Sequence, residues 1–401
     1  MATLEMESMW KDLPTEILEN VFTFLPISSL CRFRTLSKSW NIHITSYAFR
    51  HAQASRSVSP EQYVDVCKRS RAYLRGGWDV LDMAKRRFLF FSDNFVRNPL
   101  LQRRPLSFGG NLRGYLEAAA GGLFCVEYIW SDSLKNVLHT GLFVCNPVLK
   151  TFKELPHLAA KSSHCIVMST DTVSMGYEII AHVSNYESPT STVSIFVYES
   201  KIGSWRELAS YKLMTQIGRM NWGAMTIFKN KQYWTHIYNC CERIVSYDKE
   251  TGVVSYLAGL DMSLYDRTTS VCGETRYLVV SQDRLFSVMQ VKYGETFFSV
   301  DIFEINIAKE ERIHLTKVPR ELLVWVLRPN LESRTIHDAV VTGSADSILI
   351  SSVGRCVAYS LSDKSWYQCP DGHNLLEDYG GARQGIGKFN GCSCCLSFCS
   401  P

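Results

Sequence analysis

VSIFVYESKIGSWREL, Val193 to Leu208, is the stretch whose reading decides the fold. Ile195, Val197 and the residues between them alternate as a half-buried strand does. Lys201-Ile202-Gly203 supplies a turn, and Trp205 and Leu208 send a second strand back into the same layer. LFVCNPVLKTFKEL and CVAYSLSDKSWYQC repeat the pattern.

Working outward, the same motif recurs six times: an alternating apolar approach, a polar turn residue, an aromatic or apolar residue six later and another apolar residue nine later. Its copies start at Asp82 (Phe88, Phe91), Asn146 (Phe152, Leu155), Glu199 (Trp205, Leu208), Asp248 (Val254, Leu257), Asn306 (Leu315, with Arg312 departing from the pattern) and Ser360 (Trp366, Cys369), the Asp82 copy being the weakest by context. Successive anchors are 64, 53, 49, 58 and 54 residues apart. Between motifs there is room for two more strands, such as Trp222 to Ile227 followed by Gln232 to Tyr238, or Tyr277 to Ser281 followed by Leu285 to Val291. Four strands in a repeat of about 50 residues is a propeller blade. The expectation is six blades from about residue 78 to the C-terminus, the ring closing through the tail segment Lys388 to Cys399. A pair of β-sandwiches is the alternative architecture.

The N-terminal stretch WKDLPTEILENVFTFLPISSLCRFRTLSKSWNIHI, Trp10 to Ile44, has a different period. Ile17, Leu18, Val21, Phe22 and Leu25 fall at helical offsets, and Pro26 ends the run because it lacks the next amide donor. Ser28 or Ser29 can cap a second helix with Leu30, Phe33 and Arg34, and Ser37 or Ser39 a third with Trp40 and Ile44. So short a module buries too little apolar surface to be comfortable alone. It either offers a patch to a partner or packs as a cap on its own chain. Ser59-Pro60-Glu61 reads as the start of a linking helix carrying Tyr63, Val64, Cys67 and Leu74 and ending at Gly76-Gly77. The whole is α+β multidomain: a three-helix module over 1–46, a helical linker over 47–77 and an all-β propeller over 78–401.

Leu13-Pro14-x-Glu16-Ile17-Leu18, Phe22-x-x-Leu25-Pro26, Leu30-x-Arg32-Phe33-Arg34 and Lys38-x-Trp40 resemble the F-box in order and spacing, with Thr35 and Ser37 departing from the Val and Cys often seen there. The β-rich region looks like the kelch and F-box-associated repeats that follow an F-box, especially in plants. Its departure is that the kelch double glycine is mostly missing, Gly121-Gly122 being the well-placed pair. The resemblance implies that Leu13, Pro14, Glu16, Ile17, Leu18, Phe22, Leu25, Pro26, Leu30, Arg32, Phe33, Lys38 and Trp40 dock on a Skp-type adaptor and, through it, on a cullin–RING ubiquitin ligase. The propeller would then capture a target protein.

Composition is compatible with this and narrows the rest. Apolar residues make up 46% and charged residues 20%, the balance of a globular protein. The net charge of +4 is spread out, and Lys68 to Arg75 reads as a solvated helix face, so no nucleic-acid partner is expected. No apolar run reaches membrane-spanning length, and the N-terminus lacks a secretory pattern. The expected location is nucleus or cytoplasm, where the 14 cysteines stay reduced. Cys392-x-Cys394-Cys395-x-x-x-Cys399 is the most tempting metal site, but its spacing suits tetrahedral coordination poorly and it reads better as a closing strand. Cys399 is third from the end, one position off a prenylation signal. His157, His164 and His182 lie in one repeat without ligand spacing, Gly385-Ile386-Gly387-Lys388 is a lone basic turn, and no nucleophile motif is present. The expectation is therefore a non-catalytic subunit with no cofactor. The competing readings are an enzyme housed in the propeller, with the helices as a cap, and a scaffold acting outside ubiquitination. A small molecule in the central channel is left open.

Overall fold

The computed structural model describes residues 14–25, 27–56, 63–67, 77–82, 87–92, 94–102, 113–132, 137–158, 164–171, 174, 176–185, 192–212, 225–238, 241–263, 271–293, 297–327, 340–344, 346–352, 355–369 and 391–395. Four helices come first: α1 (Thr15–Thr23), α2 (Ile27–Leu36), α3 (Lys38–Thr45) and α4 (Tyr47–Arg56). Ser37 caps α3, its side chain accepting from the Ser39 amide at 3.2 Å. That hydrogen bond satisfies one of the amides a helix start leaves without a partner.

The strands form four-stranded antiparallel sheets. Five are built from consecutive strands. The first holds β4 (Arg113–Ala120), β5 (Leu123–Asp132), β6 (Val137–Asn146) and β7 (Thr151–Glu154). The second holds β8 (His164–Asp171), β9 (Gly176–Asn185), β10 (Thr192–Glu199) and β11 (Ser204–Lys212). The third holds β12 (Thr226–Phe228), β13 (Lys231–Tyr238), β14 (Cys241–Asp248) and β15 (Val253–Ser263). The fourth holds β16 (Val271–Ser281), β17 (Arg284–Tyr293), β18 (Phe297–Asn306) and β19 (Glu311–Lys317). The fifth holds β20 (Val340–Gly343), β21 (Ser347–Ser352), β22 (Arg355–Ser360) and β23 (Ser365–Gln368). A further sheet is composite, in the order β24-β1-β2-β3, from β1 (Tyr63–Cys67), β2 (Gly77–Asp82), β3 (Arg87–Ser92) and the C-terminal β24 (Gly391–Cys395). The innermost strands β24, β4 and β8 neighbour one another in turn, as do β12, β16, β20 and again β24, which sets the sheets around a propeller axis.

Every anchor read from the repeat is the last residue of the third strand of its sheet: Asp82, Asn146, Glu199, Asp248, Asn306 and Ser360. The polar requirement has a local cause. Asn146 Oδ1 accepts from the Val148 and Leu149 amides at 2.8 and 2.9 Å, and Asp248 Oδ1 from the Glu250 amide at 2.9 Å. Asn306 and Ser360 do the same for the Lys309 and Asp363 amides. The chain then reverses through four residues, and the fourth is left-handed in the five consecutive-strand blades: Lys150, Gly203, Gly252, Glu310 and Lys364. The aromatic residue six past the anchor ties neighbouring blades together. Trp205 donates its indole N–H to the Pro156 carbonyl at 2.8 Å, and Trp366 to Thr316 Oγ1 at 3.2 Å.

One expectation fails here. Tyr63, Val64 and Cys67 do not belong to a linking helix; Tyr63–Cys67 is a strand between β24 and β2, with Val64 opposite Cys394 and also opposite Asp82. The helical part of the link is α4, and the propeller begins before residue 78. The tail does close the ring, over Gly391–Cys395; Lys388 to Asn390 and Leu396 to Cys399 lie outside the described residues.

This topology gives the propeller two unlike ends. At one lie the four-residue turns and short hairpins such as Gly121-Gly122, Lys229-Asn230 and Gln282-Asp283. Both residues of each pair have positive φ, the conformation a two-residue hairpin needs. At the other each sheet hands over to the next, the fourth strand of one ending where the first strand of its neighbour begins, and 155–158, 225, 318–327 and 369 are the described parts of these connections. Two helices occupy such connections: α5 (Asn94–Gln102) before β4, and α6 (Arg320–Leu327) before β20.

Candidate docking surface on the N-terminal helices

α1 has two apolar faces. Leu18, Phe22 and Leu25 turn inward, whereas Ile17, Val21 and Phe24, at offsets of four and three, form a stripe facing solvent. Phe24 is 71% exposed, while Phe22, two residues earlier, is 4% exposed. Leu36 at the end of α2, Ile42 on α3 and Tyr47 on α4 are exposed as well. Among the described residues, six of the exposed large apolar side chains lie between 17 and 47; the other five, Ile202, Val253, Tyr256, Ile313 and Val324, are spread over the propeller. Glu16, Arg32 and Lys38 add charge to the helical surface, and Pro14 is exposed beside them.

Inside, Phe22 packs on Phe33 and Trp40 with ring centroids 4.8 and 4.6 Å apart, and Trp40 and Phe49 both flank His43. The Glu19 carboxylate lies 3.2 Å from His43 Nδ1. Phe22, Leu30, Ile44 and Phe49 form one buried cluster with Val96 and Leu100 of α5 and with Leu116, Phe124, Val126, Tyr128, Phe143 and Val148 of the first blade. Each such side chain contributes about 1.5–3 kcal/mol by leaving water. Arg34 adds a polar fastening, Nε donating to Asn41 Oδ1 at 2.9 Å and Nη1 to the Val148 carbonyl at 3.5 Å.

The structure therefore divides the thirteen residues expected at the adaptor surface. Pro14, Glu16, Ile17, Arg32 and Lys38 are exposed, and Leu18, Leu25, Phe33 and Trp40 are half-buried. Phe22 and Leu30 are corrected: both are buried, Leu30 completely, because they hold the helices together and onto the first blade. Leu13 and Pro26 lie outside the described residues. Val21, which belongs to the helical face read from the spacing, and Phe24, Leu36 and Ile42 are exposed in addition to the expected adaptor contacts. Periodicity reveals an apolar face but not which of two faces a neighbour covers.

Among the described residues, two polar constellations of the propeller contain a histidine. His182 on β9 is fully buried, its Nε2 3.0 Å from Gln232 Oε1 on β13 of the next blade, with Trp234 edge-on at 4.5 Å. Burial holds the imidazole pKa down to about 4, against the opposing pull of the Gln232 hydrogen bond. It is therefore a neutral inter-blade link. Ser299, Asp301 and His314 form the second. Ser299 donates to Asp301 Oδ2 and His314 Nε2 lies 3.2 Å from Asp301 Oδ1. The carboxylate stands between the other two, so the imidazole is not placed to take the serine proton as a nucleophilic triad requires. His157 is exposed whereas His182 is fully buried, so these two histidines of that repeat do not converge, and His164 is described through its backbone pairing with Val183. Among the described residues no group of three potential ligands is placed to hold a metal, and no helix is long and apolar enough to cross a membrane.

Four short helices with an uncovered apolar stripe thus precede a β-propeller. Residues 10–51 match the F-box domain, and residues 105–256 match the family described as F-box protein At3g26010-like, beta-propeller. Among curated relatives, the F-box protein At3g57590 of Arabidopsis thaliana is 21% identical over 198 residues, 48% of this chain and 44% of that protein. F-box only protein 6 of the same plant is 22% identical over 285 residues, 68% of this chain and 53% of that protein. The chain thus spans about half the length of these relatives. A nidogen/laminin complex structure aligns over 84% of this chain and 99% of that one, with 11% identity and a TM-score of 0.46.

Proposed function

We propose that this chain is the substrate-recognition subunit of an SCF-type cullin–RING ubiquitin ligase, its helices docking on a Skp-type adaptor and its propeller binding the target protein. The observation that carries the reading is the solvent-facing stripe Ile17, Val21 and Phe24 on a module whose other apolar face is already occupied by the propeller. An uncovered apolar stripe on helices that need no further covering to fold marks a surface for another protein. The contact residues are then Pro14, Glu16, Ile17, Arg32 and Lys38, joined by Val21, Phe24, Leu36 and Ile42. Phe22, Leu30 and Trp40 support them from beneath.

Position supports the division of labour. β1 enters the ring at the end where the tight turns lie, because Val64 is opposite the anchor Asp82. Val148, which touches the helices, belongs to a tight turn of the first blade. The blades hand over to one another at the other end, and apart from α5, which packs on the helices, that end is where we place target capture while the adaptor is held. In this role the chain is non-catalytic, needs no cofactor and works in nucleus or cytoplasm. It raises the target's effective concentration at the ligase rather than doing chemistry.

The test is capture of a Skp-type adaptor by the full chain and by Ile17→Asp/Phe24→Asp, with the melting temperature read alongside. The expected outcome is a loss of about 100-fold or more in affinity with an unchanged melt, as for central apolar contacts. Undiminished capture by the double variant overturns the reading.

A further inference from the structure

We propose that the C-terminal strand β24 is the clasp that holds the N-terminal helices in place on the propeller. The two ends of the chain meet in the composite sheet, where β24 pairs with β1 over Tyr63↔Cys395 to Cys67↔Gly391. β1 is the strand that follows α4 in sequence, with residues 57–62 between them. On the far side of the same sheet, β3 ends at Ser92 and α5 starts at Asn94, whose amide donates to Ser92 Oγ at 3.3 Å. α5 in turn delivers Val96 and Leu100 into the cluster that contains Phe22, Leu30, Ile44 and Phe49. Of the covalent routes out of the composite sheet, those through β1 and through β3 therefore lead to the helical module, while the one through β24 leads back to the fifth blade.

β24 is the strand that ties this sheet into the ring. It is innermost and contacts both β4 and β20, the inner strands of the blades on either side. Without it, β1, β2 and β3 are a three-stranded sheet of five-, six- and six-residue strands. Such a sheet is at the margin of independent stability. The other five blades are each built from their own consecutive strands and lose no member. Loosening β24 thus frees the entry strand and the exit helix of the module together. The result is a separable opening unit, with the helices at its edge and the remote blades outside it. This inference concerns the fold's own coupling and does not depend on what the helices bind.

The experiment is amide hydrogen exchange read by mass spectrometry on the full chain, on a chain ending at residue 390, and on Ser393→Pro/Cys394→Pro in the full chain. Successive strand residues point their N–H groups to opposite sides, so the double proline removes a donor facing β1 whichever residue holds it. In both variants, protection over residues 15–56 is expected to fall about ten-fold or more while β8 to β19 stay within about two-fold of the full chain. Unchanged protection of the helices in both variants overturns the proposal, because the first blade alone would then suffice to hold them. An equal loss across all sheets also overturns it, because no separable unit would exist.

Discussion

Phe22 and Phe24 sit two residues apart and carry opposite loads. Phe22→Ala opens a cavity against Phe33 and Trp40 and is expected to cost about 3–4 kcal/mol in denaturant unfolding. Phe24→Ala is expected to stay within about 0.5 kcal/mol, since that ring is 71% exposed in the isolated chain. Gly343 is a different single-residue constraint. A Cβ there would overlap the Val280 carbonyl of the neighbouring inner strand, and neither backbone can yield without parting two blades. Gly343→Ala should lower stability by about 3 kcal/mol, read by the same unfolding curves. His182 gives a pH signature. Its folded pKa of about 4 lies below the ordinary 6.5, so the unfolded chain takes up the proton first. Stability from the neutral, buried ring is complete above pH 6.5 and is lost as pH falls through about 4, up to about 3 kcal/mol. His182→Gln should flatten that acid limb, visible as a smaller drop in unfolding midpoint between neutral and acid buffer.

At the scale of the element, the third-to-fourth-strand turn explains why so much of the propeller was legible in advance. Its needs are local: a short polar side chain to accept amides, one left-handed residue, and an aromatic placed to reach the preceding blade. Those needs print a repeat into the sequence. Where Lys364 takes the left-handed position in place of glycine, the conformation is strained. Lys364→Gly should raise the unfolding midpoint by the equivalent of about 0.5–1 kcal/mol, whereas the same change at an ordinary strand position lowers it. β1 was illegible for the opposite reason. Tyr63 to Cys67 contains no local instruction that outweighs a helical reading; its strand state depends on Gly391–Cys395 at the far end of the chain. On the helices, motif spacing identified the module but could not separate the inward residues Phe22 and Leu30 from the outward ones. That division is made by Val96, Leu100, Tyr128 and Val148, which belong to other elements.

For the whole molecule, the shared cluster makes the helical module and the first blade one mechanical body, so what is held at the module is held at a defined angle to the ring. Truncating Val148→Ala, in the turn that meets Arg34 and the cluster, should cost about 1–2 kcal/mol and raise exchange in α1 and α2 before it does so in β16 to β19. The contrast between the two ends of the ring then has a consequence for how such a chain can change. The turns at the module's end are fixed at four residues by amide acceptors and a single backbone conformation, so an insertion there would disturb a seam between blades. The handover from sheet to sheet is pinned differently: Met225 packs on Ile180, Ile195 and Val197 of the second blade, and Leu155 and Cys369 donate their amides back to the Leu142 and Cys356 carbonyls, so change at that rim must spare these anchors. Variation confined to the chain between such anchors, and outside α5, leaves the seams of the opposite rim and the grip on the helices as they were.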